Sequence, residues 1–372
     1  MMRRNKTYIG RVVIPVLSIF LALLVASVLI IASGLVGPEK KIDLLLPLVA
    51  YRSLLFGAFG NFKGIANMIV AATPLMLTGL AVGVGLKAGL FNIGGTGQVL
   101  MGGFAASLVG LLVADSSPML AIPAALLGGL LAGAVVGFIP GFLKAYTGAH
   151  EVVTTIMLNA VVQLTVSGMV NDVFRAPGFT FARTAAVGQA TLVGVGGTTL
   201  HVGVIFAVIC IPLSYWLLWR TTVGFEIRAV GANPTAALYA GMKPRRMMIL
   251  TMSLCGAFGG LAGAIEILRL GYYPAVFGTS IGFDGITVAL LGQSNPIGIM
   301  LSALLLGAMR AGAPLMQIQA RVPVEIIDVI QGVILIFLAA EIVVRRIFRL
   351  RSAEGAGELQ TITRTYGEKV VG

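Results

Sequence analysis

The run from Val12 to Ile31 contains no charged residue, and the run from Val324 to Val344 is broken by only a few polar ones. Each reaches the roughly 20 residues that an α-helix needs to cross a bilayer. The balance of residue types agrees: 58% of the 372 residues are hydrophobic and 11% are charged, too few to cover a water-exposed surface. The chain therefore reads as an all-α, multi-span membrane protein. A transmembrane barrel is excluded, because it needs alternating segments of about 10 residues, whereas the apolar runs here are long and glycine-laced.

Ten spans follow from apolar length: 12–35, 65–87, 92–114, 119–143, 152–171, 201–219, 247–268, a short pair at 283–292 and 297–312, and 324–344. Both termini then lie in the cytoplasm. Arg3, Arg4, Lys6 and Arg11 precede the first span, which is not followed by a small-residue cleavage site, so it is expected to be a retained anchor. Basic residues test the topology. Those on the inside are the four N-terminal ones, Lys87, Lys144, five in 220–246 and six C-terminal, 17 of the 26 Lys and Arg, as the positive-inside rule requires. The net charge of +12 is thus read as loop charge at a membrane, with no need for a nucleic-acid partner. Segment 37–64 holds Lys40, Lys41, Arg52, Lys63 and Pro47, and is expected to be an interfacial helix. Residues 172–200 are rich in turn formers and are expected to be an external loop. The transmembrane domain would cover 1–351, with 352–372 a polar, disordered cytoplasmic tail.

Gly224 to Met242, GFEIRAVGANPTAALYAGM, is a polar island in this apolar chain. Asn233 is placed to cap a helix beginning at Pro234 and continuing through Thr235, Ala236, Ala237, Leu238, Tyr239 and Ala240, and Gly241 supplies a left-handed stop. A helix of two turns is marginal alone. It reads as a docking element, with Glu226 and Arg228 orienting the loop on its own domain.

Two glycine-rich interruptions, Asn92 to Gln98 and Gly292 to Gly298, occupy corresponding positions in the two halves, a pattern that points to a transport pathway. Gly129, Gly133, Gly137 and Gly141 recur every fourth residue, as do Gly256 with Gly260 and Gly259 with Gly263, which allows helix backbones to approach closely. Cys210 and Cys255 fall in apolar spans and read as packing residues.

No GxxxxGK[ST] phosphate loop, HExxH or CxxC occurs. The chain is therefore expected to bind no nucleotide, metal or other cofactor and to catalyse nothing by itself. Candidate pathway residues are those whose polarity is costly in a membrane. Glu266 and Arg269, three apart, are an intrahelical ion pair or a pathway element. Asp284 caps a half-helix or touches solute. His150 and Glu151 stand at a helix start. Asn92 and Gln98, Asn159 and Gln163, and Gln293 and Asn295 offer uncharged hydrogen-bonding groups suited to a hydroxylated or amide-bearing solute, or else glue between helices. Phe91, Tyr272 and Tyr273 stack on a planar ligand or belong to the aromatic belt at the membrane boundary.

Four stretches carry a family resemblance: GLFNIGGTGQVLMGGFAA at 89–106, GAHEVVTTIMLN at 148–159, RTTVGFEIRAVGANPTAALYAGM at 220–242 and GFDGITVALLGQSNPIGI at 282–299, with GAFGGLAGAIE at 256–266 beside them. In these the chain resembles permease subunits of ABC importers of the ribose and branched-chain amino-acid type, nearest the nucleoside permeases. The resemblance implies a plasma-membrane helix bundle paired with a second, similar permease chain. It also implies a cytoplasmic ATPase that holds ATP and Mg, an extracellular substrate-binding lipoprotein, and 220–242 as the coupling region. Two other classes remain: a secondary transporter driven by an ion gradient, which needs a titratable or sodium site at the midplane, and a non-transporting membrane scaffold.

Overall fold

A computed structural model describes residues 2–36, 43–277 and 280–340. In chain order the described helices are α1 (Met2–Val36), α2 (Leu46–Phe59), α3 (Phe62–Lys87), α4 (Gly95–Leu112), α5 (Pro118–Thr147), α6 (Glu151–Asp172), α7 (Gly203–Arg220), α8 (Thr222–Ala232), α9 (Pro234–Tyr239), α10 (Pro244–Leu270), α11 (Ser280–Leu291), α12 (Pro296–Ala320) and α13 (Ile326–Ala339). Eight of them, α1, α3 to α7, α10 and α12, are long and apolar enough to cross a membrane; α2, α11 and α13 are shorter apolar helices. The expected tail at 352–372 and the end of the last expected span lie outside the described residues.

Helix boundaries follow local chemistry. α5, α9, α10 and α12 each begin on a proline, where the missing N–H has no intrahelical partner to lose. α5 and α10 end at Gly148 and Gly271, both left-handed, with φ of 71° and 79°. One expected boundary is corrected. The span expected to stop at 312 runs to Ala320, because Pro314 is taken inside α12. Its partner α11 is short as expected, with 12 residues, roughly 18 Å at 1.5 Å per residue against a hydrocarbon core of about 30 Å.

The described residues form two compact units, those up to Met68 with those from Leu305 onward, and those within Ile69–Leu304. In the first, α1 packs on α13. The segment expected to lie at the interface is α2, and it is a packed member of this unit. Tyr51 donates its hydroxyl to the Leu23 carbonyl of α1 at 2.7 Å, and Ser53 donates to Gln319 Oε1 of α12 at 2.7 Å. A Cβ on Gly312 would overlap the Leu54 carbonyl.

In the second unit α10 is the central helix, and its two glycine rows lean on different neighbours, with Gly260 also meeting Gly102 of α4. Gly256 and Gly260 face Gly129, Gly133 and Gly137 of α5, where a Cβ on either side would overlap a backbone carbonyl or Cα. Gly259 and Gly263 face Gln98 and Val99 of α4. Backbone against backbone over three helices gives dispersion contact without side-chain ordering entropy, which lipid cannot match. Cys210 and Cys255 are buried in their helices, as packing residues.

Candidate functional site

The polar island folds into two helices where one was expected. Thr221 caps α8, its hydroxyl accepting from Gly224 N at 3.0 Å, and Gly224, Ile227 and Val230 form a buried stripe at three-residue spacing. The stripe is a helical period in the sequence, with Gly224 and Gly231, weak helix formers, near its ends. Arg228 donates from Nε to the Leu218 carbonyl at 2.9 Å, and its guanidinium carbon stands 5.8 Å from the Trp219 ring centre. It thus ties α8 to the last turn of α7.

α9 follows with both caps made. Asn233 Oδ1 accepts from Ala236 N at 3.0 Å. Gly241, at φ 81°, donates to the Leu238 carbonyl, and Met242 donates to that of Ala237, each at 3.0 Å. This is the paired closure of a left-handed helix stop. The helix presents Leu238 and Tyr239 outward, 59% and 88% exposed, while Ala237 is the residue turned inward, 4% exposed. Ala237 is therefore a packing residue of the loop, and the projecting groups are its two neighbours.

The α8–α9 loop touches the turn that leads into one of the two interruptions. A Cβ on Gly231 would overlap the Lys87 carbonyl and press on Ala88. This turn, closed by Leu90 N donating to the Gly85 carbonyl at 2.9 Å, leads into the first interruption, the stretch between α3 and α4. There the amides are engaged with one another. Asn92 Nδ2 donates to Gln98 Oε1 at 3.0 Å, and Gln98 Nε2 returns to Asn92 Oδ1 at 3.2 Å. Asn159 of α6 accepts from Gly97 N at 2.8 Å and donates to the Ile93 carbonyl at 2.9 Å. Asn92 and Gln98 are fully buried, and Phe91 beside them is half-buried. Of the two readings open for these amides, the geometry is that of glue.

The second interruption is the tight turn between α11 and α12. Gln293 and Ser294 adopt φ of 52° and 53°, left-handed values that side chains seldom take. Asn295 caps α12, its Oδ1 accepting from Ile297 N at 3.0 Å, the same Asn-Pro device as at Asn233. Ile299 packs against Gly79 and Gly83 of α3. Both interruptions thus adjoin the last turns of α3.

Three other expectations resolve. Asp284 lies in the second turn of α11, which starts at Ser280, so it is a buried interior residue and not the cap. Glu266 and Arg269 form a two-bonded ion pair, with Nε to Oε2 at 3.2 Å and Nη2 on Oε1. Glu151 opens α6 and pairs with Lys144 of α5 at 3.0 Å, with His150 at the cap position.

Residues 172–200 are irregular apart from a 3₁₀ turn at Gly188–Ala190, yet they are pinned at many points. Val187 and Leu192 donate to the carbonyls of Gly271 and Leu268 at 2.9 Å each. Thr184 N donates to the Tyr273 carbonyl at 2.9 Å, and Tyr273 N donates to Thr184 Oγ1 at 3.0 Å. Arg183 sits with its guanidinium carbon 3.3 Å from the Phe179 ring centre and 4.4 Å from that of Tyr272. The aromatic-belt assignment fails for Tyr273, which is 1% exposed and sends its hydroxyl to the Leu100 carbonyl of α4 at 3.3 Å. Its backbone is anchored by a loop distant in sequence, a restraint that no local pattern announces. Gln163 of α6 is exposed.

Comparison with known proteins accounts for this arrangement. Residues 64–339 match the family described as the branched-chain amino acid transport system / permease component. The chain is 35% identical over 355 residues to the guanosine ABC transporter permease protein NupP of Bacillus subtilis strain 168, covering 94% of this chain and 99% of that one. It is 33% identical to the nucleoside ABC transporter permease protein NupB of Lactococcus lactis subsp. cremoris, covering 98% and 99%. The ribose import permease protein RbsC of Escherichia coli K12 is 27% identical, covering 76% and 87%. The multi-pass architecture and these matches together make this chain a plasma-membrane permease that belongs to the branched-chain amino acid transport system / permease component family.

Proposed function

We propose that this chain is one half of an ATP-driven importer for nucleosides, working beside a second, non-identical permease. A cytoplasmic ATPase would supply ATP and Mg, and an extracellular lipoprotein would deliver solute. The nucleoside assignment draws on relatives of nearly equal length that carry guanosine and nucleoside permease names. The loop bearing α8 and α9 faces the cytoplasm in this reading, as do both termini. The 1–351 transmembrane domain is followed by the 352–372 tail on the same side, and 172–200 lies outside.

The observation that carries the proposal is α9. A six-residue helix does not hold itself together in water, yet this one is closed at both ends and holds out Leu238 and Tyr239. Large apolar side chains on a rigid, polar-framed element are what a protein partner anchors on. The chain has no phosphate-binding loop of its own, so the energy enters through this contact, made by Asn233 to Gly241 on the ATPase surface. Glu266, the residue singled out for an ion-driven mechanism, is committed to Arg269.

The test is uptake of guanosine into vesicles holding the assembled transporter. Uptake should need ATP and survive an ionophore. Uptake that persists without the ATPase and collapses with the ionophore would reverse the assignment in favour of an ion-driven carrier.

A further inference from the structure

We infer that a recess between the middle of α6 and the connection from α10 to α11 is the subsite through which the base ring of the nucleoside passes, an assignment that rests on the import reading above. The recess is lined by Gln163 and Ser167 of α6, Leu100 of α4, and Tyr273 and Phe277 of the connection, and encloses about 80 Å³. At about 10–15 Å³ per water this is room for some five to eight waters, the scale of a single ring and less than a whole nucleoside.

Gln163 has no hydrogen-bond partner among the described residues. Its neighbours Val161 and Leu164 are exposed apolar side chains that suit lipid or another helix. A primary amide set among them and facing hydrocarbon would leave two donors and an acceptor unmet. This side of α6 therefore meets water, solute or a second chain. Ser167 stands one turn further along, on the same helical face.

The opposite wall is rigid and aromatic. Tyr273 is held by its hydroxyl on α4 and by its backbone on Thr184. Its ring lies edge-on to Phe104 with centroids 5.7 Å apart, and Phe277 leans on it at the same separation. Residues 271–277 of the connection reach the depth of Leu100 without helical bonding, which membranes tolerate only where backbone is buried in protein or borders water.

Two buried rings with the aliphatic Val166, Ala275 and Val276 beside them, facing an amide and a hydroxyl, fit a flat heterocycle whose rim exchanges hydrogen bonds while its body lies on apolar side chains. No charged side chain lines the recess. A zwitterionic amino acid would enter with two unpaired charges, and a bare sugar would gain nothing from the rings.

The two cysteines of this chain are buried, so in a transporter whose partner chains have been freed of cysteine, a thiol introduced by Gln163→Cys is the accessible one to a polar methanethiosulfonate reagent. The thiol should react, and guanosine should protect it. At ten times the half-protecting concentration, labelling slows about tenfold, while ribose at the same concentration leaves the rate unchanged. Phe277→Leu, in the same background, should raise the half-protecting guanosine concentration roughly fivefold or more. A thiol that does not react, as when lipid or the second permease covers it, overturns the subsite, and so does equal protection by ribose. Guanosine uptake by the native transporter separates the two claims. Uptake without protection overturns the subsite alone, and absence of uptake overturns the import reading with it.

Discussion

The centre of the second unit and the α8–α9 loop are built by opposite means. Between α4, α5 and α10 the backbones touch, and glycine is what lets them do so. In α9 the backbone is closed by its own caps, and the side chains are left over. The first arrangement spends its surface on itself and keeps nothing for a partner. The second holds only Ala237 against its own chain and leaves Leu238 and Tyr239 unspent. Frame and contact are thus separable, and substitutions should divide them.

The strongest effect is expected in the frame. Gly260→Leu puts a branched side chain where even a Cβ overlaps the Gly129 carbonyl. It should cost about 3 kcal/mol or more, seen as loss of folded protein in detergent unfolding. A folded, active Gly260→Leu protein would mean that the helices have room to separate. Next comes the contact. Tyr239→Arg should lower ATP-dependent uptake by roughly thirtyfold, the scale of an interface anchor of about 2 kcal/mol, with the unfolding midpoint unmoved. Were the midpoint to fall as well, α9 would be part of the frame. Ala237→Arg should fail differently, lowering stability before coupling, because Ala237 is buried.

How much of this was legible beforehand divides along the same line. Periodic glycines, the Asn-Pro start and the Gly stop are local signals, and they locate the packing rows and α9, while the same Asn-Pro pair at the head of α12 reads from sequence as a pathway element. What escaped depends on partners distant in sequence. Tyr273 looks like any boundary tyrosine until Thr184 and Leu100 are brought to it. Asn92, Gln98 and Asn159 look like solute ligands until they are seen to bond one another and the loop backbone. Asp284 resembles a cap because Asp favours helix starts, yet α11 is already helical from Ser280.

A smaller effect is expected at Asn233→Ala, which removes the acceptor for Ala236 N. It should cost α9 about 1 kcal/mol, weakening ATPase binding about fivefold in a titration. A loss as large as that of Tyr239→Arg would assign Asn233 a direct contact.

The smallest concerns the opposite end of α7. His201, two residues before that helix, is 4% exposed and neither ring nitrogen has a partner among the described residues. Burial first, and the Arg269 charge second, hold its pKa below the ordinary value against the opposing pull of Glu266. The unfolded chain therefore takes up the proton first as pH falls. Stability should be full above about 6.5 and decline below it. In His201→Phe that decline should be shallower in unfolding midpoints taken from pH 7.5 to 5; an unchanged slope would place the acid sensitivity elsewhere.

The seat of Gly231 on Lys87 and Ala88 sets the length of a lever. From Asn233, where α9 begins, to Gly231 is two residues, and from Ala88 to Asn92 is four. Between those short arms the contact at Gly231 is backbone against backbone. If a partner displaces α9, this backbone seat is where the shift would bear on the turn that leads to Asn92, and a methyl group at Gly231 would overlap the Lys87 carbonyl before any load arrived.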